Sequence, residues 1–205
     1  MEFGEKQIHI LIIAEKLFAE NGFDGTSVRQ IAKEASVNLA MISYYFGSKE
    51  RLLENLLVYR TSDFRMELET VISQEMDHIS KIDDIVALAI RRIHRNRRMY
   101  KIIHFEYSND SRNLDFDSYL VQKKANYQLI EDFVISGQRA GVFSPKVNIP
   151  LIVPTILGTY FNFYYNKRFF ESLNLVKPGS LDFYVTHELT PHIQKTIKAL
   201  LTYEM

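Results

Sequence analysis

Apolar residues recur at helical spacing along most of the chain. Ile10, Ile13, Ala14, Leu17 and Phe18 fall at i, i+3, i+4, i+7 and i+8, one stripe of a helix running from about Glu5 to Asn21. Asn21-Gly22 ends it, because glycine tolerates the left-handed cap position. A second helix begins after Ser27, where Ser27-Val28-Arg29-Gln30 has the form of a capping box, and runs to about Ala35. Ser36-Val37-Asn38 is a short turn, and Asn38 is a good N-cap for a third helix ending near Phe46. Gly47-Ser48 breaks the chain again. Ser48 caps a long fourth helix that carries Leu52, Leu53, Leu56 and Leu57 and extends to about Ile72. Further helices are predicted over about 83–93, 96–107, 115–140, 149–173 and 181–203. Pro154 falls in a first turn, where a missing N–H costs little, and Pro191 falls inside the last helix and predicts a kink. No stretch alternates as a strand would, so the fold class is all-α.

Two short helices, 28–35 and 38–46, joined by a three-residue turn make a helix-turn-helix. In that motif the first helix crosses the DNA backbone. The second places its N-terminal residues against base edges in the major groove.

Composition changes this picture only by exclusion. The chain has 205 residues, with 25 Lys and Arg against 25 Asp and Glu, so net charge lends no support to a nucleic-acid partner. The case for DNA rests on motif and placement. There is no cysteine, which removes disulfides, thiolate nucleophiles and cysteine-ligated metals and fits a reducing, cytoplasmic location. Glu2, Glu5 and Lys6 precede the first apolar run, which argues against a secretory signal. Residues 147–166 carry no charge, but Asn148, Pro150, Pro154, Thr155, Thr159 and Asn162 among them suit a buried helix at a subunit interface better than a membrane span. His187 and His192 are five apart and do not share a helix face, and no HExxH-like pair occurs. Neither a phosphate-cradling glycine loop nor a catalytic nucleophile set is present, so no enzyme, cofactor or metal is expected.

The segment from Phe18 to Leu52 carries a resemblance. Phe18 through Gly22, Thr26-Ser27-Val28, Ile31-Ala32, Val37, and Tyr45-Phe46 followed by Ser48-Lys49-Glu50 stand in the order and spacing of the DNA-binding domain of TetR-type regulators, which this chain resembles over about residues 8–57. The resemblance implies a DNA face of Ser27, Val28 and Arg29 on the second helix and its cap, and Asn38, Leu39, Ala40, Met41, Ser43 and Tyr44 on the third. It assigns Tyr45 and Lys49 to phosphates and Ile31, Ala32, Val37, Ile42 and Phe46 to the core. Three positions depart from the commoner pattern. Ser36 stands where glycine is frequent and positive φ is wanted. Leu39 replaces a polar residue, and Ser43 replaces tyrosine. Leu39, Ala40 and Met41 make no bidentate hydrogen bonds, so contact with thymine methyl groups is the expected readout, on an A·T-containing half-site.

The C-terminal part holds most of the aromatic residues. In proteins of the TetR type the last two long helices commonly form a four-helix dimer interface. The resemblance implies the same here, with Phe161, Tyr165 and Phe169 on one helix and Leu189, Ile193, Ile197 and Leu200 on the other. Phe105, Tyr107, Tyr127, Tyr160 and Tyr164 are the candidate lining of a pocket for a small apolar or aromatic ligand. The basic run Arg91, Arg92, Arg95, Arg97, Arg98 and Lys101 reads first as a solvated helix face, with a second nucleic-acid contact or an acidic-ligand entrance as the other readings. The expectation is a helix-turn-helix domain over residues 1–50 and a helical effector-binding and dimerisation domain over 51–205. Its partners are a second copy of the chain, a palindromic double-stranded operator and a small ligand. An architectural or adaptor protein with the same DNA domain and no effector is the alternative.

Overall fold

The structure, a computed structural model, describes residues 3–107 and 117–203, with Tyr107 described by its backbone alone. All regular structure among these residues is helical. Helices α1 (Glu5–Asn21), α2 (Val28–Glu34) and α3 (Leu39–Phe46) fall where the pattern predicts. Their boundaries have side-chain causes. Ser27 Oγ accepts the Gln30 amide at 3.1 Å, and Asn38 Oδ1 accepts the Ala40 amide at 2.9 Å. Ser48 Oγ accepts the Arg51 amide at 3.2 Å and opens α4 (Lys49–Thr61). Each such cap contributes about 1 kcal/mol. Helix α2 ends in a Schellman turn, in which the Val37 amide donates to Ala32 O at 3.0 Å and the Ser36 amide to Lys33 O at 3.2 Å. Ser36 takes the expected positive φ, +54°, which costs about 1 kcal/mol where glycine would sit without strain.

Later elements are more broken than the periodicity suggests. The single helix expected from Ser48 to Ile72 is two, α4 and α5 (Phe64–Ser73). At the break Ser62 Oγ donates to Tyr59 O at 3.0 Å, a side-chain bond that competes with the helical ladder. Helix α6 (His78–Arg95) starts earlier than expected because Asp77 caps it, accepting the Ser80 amide at 2.9 Å and the Ser80 hydroxyl at 2.6 Å. Helices α7 (Arg97–Tyr107) and α8 (Asp117–Arg139) follow. The helix expected over 149–173 divides into a 3-10 turn at Ile149–Leu151, α9 (Ile152–Tyr165) and α10 (Lys167–Ser172), with Asn166 at the junction donating its amide to Asn162 O at 2.9 Å. The kink foreseen at Pro191 takes the form of a π turn, Val185–Leu189, between α11 (Leu181–Tyr184) and α12 (Thr190–Thr202). Proline has no N–H for the regular ladder. The preceding Thr190 amide reaches back to Val185 O instead, and its hydroxyl donates to the same oxygen at 2.7 Å.

The chain forms two compact units, one from 1–65 with 95–125 and one from 66–94 with 126–205. In the first, Ile10, Leu11, Ala14, Leu17 and Phe18 of α1 join Ile31 of α2, Ile42 and Phe46 of α3, and Leu52, Leu53, Leu56 and Leu57 of α4 in one core, which Met99, Ile102 and Ile103 of α7 also enter. Lys101 Nζ donates to Ala19 O at 2.7 Å, and buried Glu15 is paired with Arg60. The helix-turn-helix is therefore set into a larger hydrophobic body than its own three helices.

The second unit buries Ile82, Ile85, Val86, Leu88 and Ile90 of α6, Phe133 and Val134 of α8, Ile152, Ile156, Tyr160 and Phe163 of α9, and Ile193, Ile197 and Leu201 of α12. Gly137 on α8 is needed for close approach. A Cβ there would lie 2.2 Å from the Phe143 ring. No helix among the described residues is long and apolar enough to cross a membrane. None of their His, Asp and Glu residues group as metal ligands would.

Candidate nucleic-acid interface

Helix α3 has two unlike faces. Ile42 and Phe46 are buried against α1, α2 and α4, which fixes the helix from behind. Asn38, Leu39, Ala40, Ser43 and Tyr44 are exposed on the other side, and Tyr44 is 83% exposed. Met41 is half-buried. Most of the Tyr44 ring is thus held in water on a rigid, capped helix, where it is accessible to a partner. Tyr45, half-buried and packed on the core, stands beside Tyr44 with ring centroids 5.3 Å apart. The exposed face carries no formal charge, while the amide end of α3 offers partial positive charge to an anion.

Helix α2 supplies less. Arg29 is exposed, and Val28 is half-buried against the core. Ser27 is exposed, with its oxygen engaged by the Gln30 amide. Lys49 stands differently from the expectation of a plain phosphate contact. Its ammonium donates to Phe23 O at 2.9 Å and Thr26 O at 3.0 Å and lies 4.2 Å from the centroid of the Phe23 ring. It clasps the turn between α1 and α2, and two of its three donors are used there. Thr26, fully buried, has its hydroxyl 2.8 Å from Gly22 O and 3.1 Å from Leu17 O, and locks the same turn. These two tethers were not foreseen. The only signal for them was the position of Thr26 and Lys49 within the motif.

Residues 10–56 match the family described as bacterial regulatory proteins, tetR family. That segment, the helix-turn-helix with α1 and the start of α4, belongs to the DNA-binding domain of that family. Over 129 residues it is 34% identical to the HTH-type transcriptional regulator YttP of Bacillus subtilis, a match that spans 59% of this chain and 60% of that relative. The fold is similar to that of the fatty acid degradation regulator FadR from Bacillus halodurans, at 19% identity and a TM-score of 0.78, covering 97% of each chain. It is also similar to FadR from Bacillus subtilis, whose structure is a complex with stearoyl-CoA, at 18% identity and a TM-score of 0.73, covering 95% of this chain and 97% of that one.

The expected ligand residues are divided between the two units. In the second unit Tyr160 is fully buried and stacks on half-buried Tyr164 at 5.9 Å. In the same unit Tyr127 lies near Glu131, donating to it at 3.4 Å, and desolvation followed by that carboxylate raises its phenol above the usual 10.0. Phe105 belongs to the first unit, is 59% exposed, and lines a depression of about 250 Å³ with Phe18, Phe23 and Lys101. The side chain of Tyr107 lies outside the described residues.

The expected dimer stripe needs correcting in part. Leu189, Ile193 and Ile197 are buried within the second unit, where α12 packs on α9, and present nothing to another chain. Tyr165, Phe169 and Leu200 are exposed, and half-buried Phe161 stacks on Tyr165 at 5.7 Å. Of the basic run, Arg92 pairs with Glu67 at 2.6 Å and Lys101 caps α1, while Arg91, Arg95, Arg97 and Arg98 are exposed. A set that sequence reasoning missed lies in the second unit. His94 stands between Tyr160 and Asp182, at 2.7 Å and 2.8 Å.

Proposed function

We propose that the chain is a one-component transcriptional repressor that reads DNA through α3 and is released by a small acyl-chain effector. The observation that carries the DNA reading is Tyr44, a water-exposed aromatic on a helix whose cap, turn and buried face are all accounted for. The contact surface is the exposed part of the expected set, Asn38, Leu39, Ala40, Ser43 and Tyr44, flanked by Met41, Tyr45 and Arg29. Leu39 and Ala40 meet thymine methyl groups, Tyr44 enters the groove beside them, and Tyr45 and the α3 amide end position the phosphates. Ser27 and Val28 hold α2 in place. Lys49 keeps one N–H for a phosphate while its other donors brace the turn.

A repressor of this kind works in the cytoplasm as a homodimer on a palindrome, its half-sites about 10–10.5 bp apart or a multiple of that. Phe161, Tyr165, Phe169 and Leu200 contribute to the contact with the partner copy. Residues 1–50 carry the DNA function and 51–205 the effector and dimer functions, although the hydrophobic body around the motif is wider than 1–50. The effector reading is supported by the likeness to FadR bound to stearoyl-CoA and by the aromatic crowding of α9. Effector and operator are linked by a coupling of about 1–3 kcal/mol, equivalent to about 5–150-fold in DNA affinity.

Selection from a random duplex pool, followed by titration of the winner across salt, tests the DNA reading. A palindrome with A·T pairs at contacted positions is expected, with a slope near −0.9 per phosphate neutralised. An enriched site with no two-fold symmetry contradicts the dimer. Uniform G·C at the contacted positions contradicts the methyl readout.

A further inference from the structure

The aromatic end of α9 carries a polar chain that core packing does not require. Tyr160 is fully buried, and its hydroxyl lies 2.7 Å from Nδ1 of His94 on α6. The other ring nitrogen, Nε2, lies 2.8 Å from Oδ1 of Asp182 at the start of α11. All three residues belong to the second unit. In the neutral imidazole these bonds fix the tautomer. A carboxylate only accepts, so Nε2 carries the proton, and Nδ1 accepts from the Tyr160 hydroxyl. His94 is thus an oriented donor, its side chain 15% exposed and its ring set edge-on to Tyr160 at 5.9 Å. Its acceptor is of the opposite kind, since the Asp182 side chain is 86% exposed. Water solvates such a carboxylate well, and an ion pair or hydrogen bond made there contributes little net stability. A sheltered donor held by a buried tyrosine and met by a solvated carboxylate is an exchangeable bond.

We propose that Asp182 is an internal stand-in for the acyl oxygen of the effector. A carboxylate or thioester carbonyl on an apolar chain accepts from His94 Nε2–H in place of Asp182, and α11 is released. This rests on the acyl-effector reading above and names its polar anchor. The surroundings suit the chain of such a ligand. Tyr164 stacks on Tyr160, and Phe163 stacks on Tyr184 of α11 at 5.0 Å, so the departure of α11 uncovers aromatic surface. A free fatty acid and an acyl thioester share the acceptor and differ in the rest of the molecule, which gives the experiment its two probes.

The full chain, without DNA, is titrated calorimetrically with decanoate and with decanoyl-CoA. Wild type, Asp182→Ala, His94→Phe and Tyr160→Phe are compared, with far-UV circular dichroism to establish that each is folded. At least one probe binds, and its identity tells the two sources apart. Asp182→Ala, which removes an exposed competitor, binds that probe up to about fivefold more tightly, the equivalent of about 1 kcal/mol. His94→Phe binds it at least about tenfold more weakly, and Tyr160→Phe falls between wild type and His94→Phe. A probe that binds wild type and Asp182→Ala equally, or binds the variant more weakly, overturns the anchor and leaves the acyl reading standing. Failure of both probes to bind Asp182→Ala overturns both. Operator selection uses neither probe, so its result is independent of this one.

Discussion

Tyr44 and Tyr160 are the same residue on two helices, and their surroundings divide the molecule by task. Tyr44 is 83% exposed on a helix whose other side is fully committed to the core. Tyr160 is fully buried, with its hydroxyl bonded to His94 and its ring stacked on Tyr164. The first ring touches its own chain at the edge of Tyr45 and presents most of its surface to a partner. The second is part of the fold and meets a partner only if neighbouring structure moves. An exposed aromatic on a rigid element therefore points to a surface that is ready to bind. A buried aromatic with a satisfied hydroxyl points to a switch or to plain packing, and the partner of its hydroxyl decides which.

The largest expected effect tests the buried arm of that contrast. Tyr160→Ala removes a fully buried ring and leaves His94 without its hydroxyl, at a cost of about 3–5 kcal/mol, read as a lowered midpoint in urea unfolding. A loss below about 1 kcal/mol would mean that the ring is not part of the core.

Much of the first region was legible in the sequence, and the reason is local. The caps at Ser27, Asn38 and Ser48, the turn at Ser36 and the core positions of α1 to α4 all depend on residues a few places apart, where side-chain chemistry dictates the backbone directly. The second region was legible only as helices. A single apolar stripe along the π turn and α12 reads the same whether it faces its own chain or another, and Leu189, Ile193 and Ile197 are buried in their own unit. The breaks at Ser62 and Asn166 carry no Gly or Pro and depend on side-chain bonds that a pattern does not display. The His94, Tyr160 and Asp182 set joins residues far apart in sequence, and no spacing rule reaches across that distance. Lys49 was read as a phosphate contact from its place in the motif, whereas its carbonyl partners on the α1–α2 turn came only with the fold.

A smaller effect sharpens the readable arm. Ser36→Gly relieves the positive φ of the α2–α3 turn and raises stability by about 1 kcal/mol, measured as a higher unfolding midpoint with an unchanged urea slope. Loss of stability would mean that the serine hydroxyl makes a contribution larger than the strain.

The smallest effect concerns acid. The three caps of the motif are uncharged and hold their hydrogen bonds at any pH. The cap of α6 is Asp77, whose carboxyl is held below its usual 3.8 by the Ser80 hydroxyl and then the Ser80 amide. A depressed folded-state pKa means stability that is present above about 3.8 and lost as pH falls through the folded value. Asp77→Asn flattens that part of the pH–stability curve, and a curve unchanged by the substitution would remove Asp77 from the account.

The central claim is that α3 is a preformed reading surface with Tyr44 at its face. It is tested most directly by measuring operator affinity and urea unfolding side by side for wild type and Tyr44→Ala. The account predicts a change in stability within about 0.5 kcal/mol, as for exposed positions generally, together with a loss of sequence-specific binding. Wild-type affinity in Tyr44→Ala, or an affinity loss matched by unfolding, would contradict it.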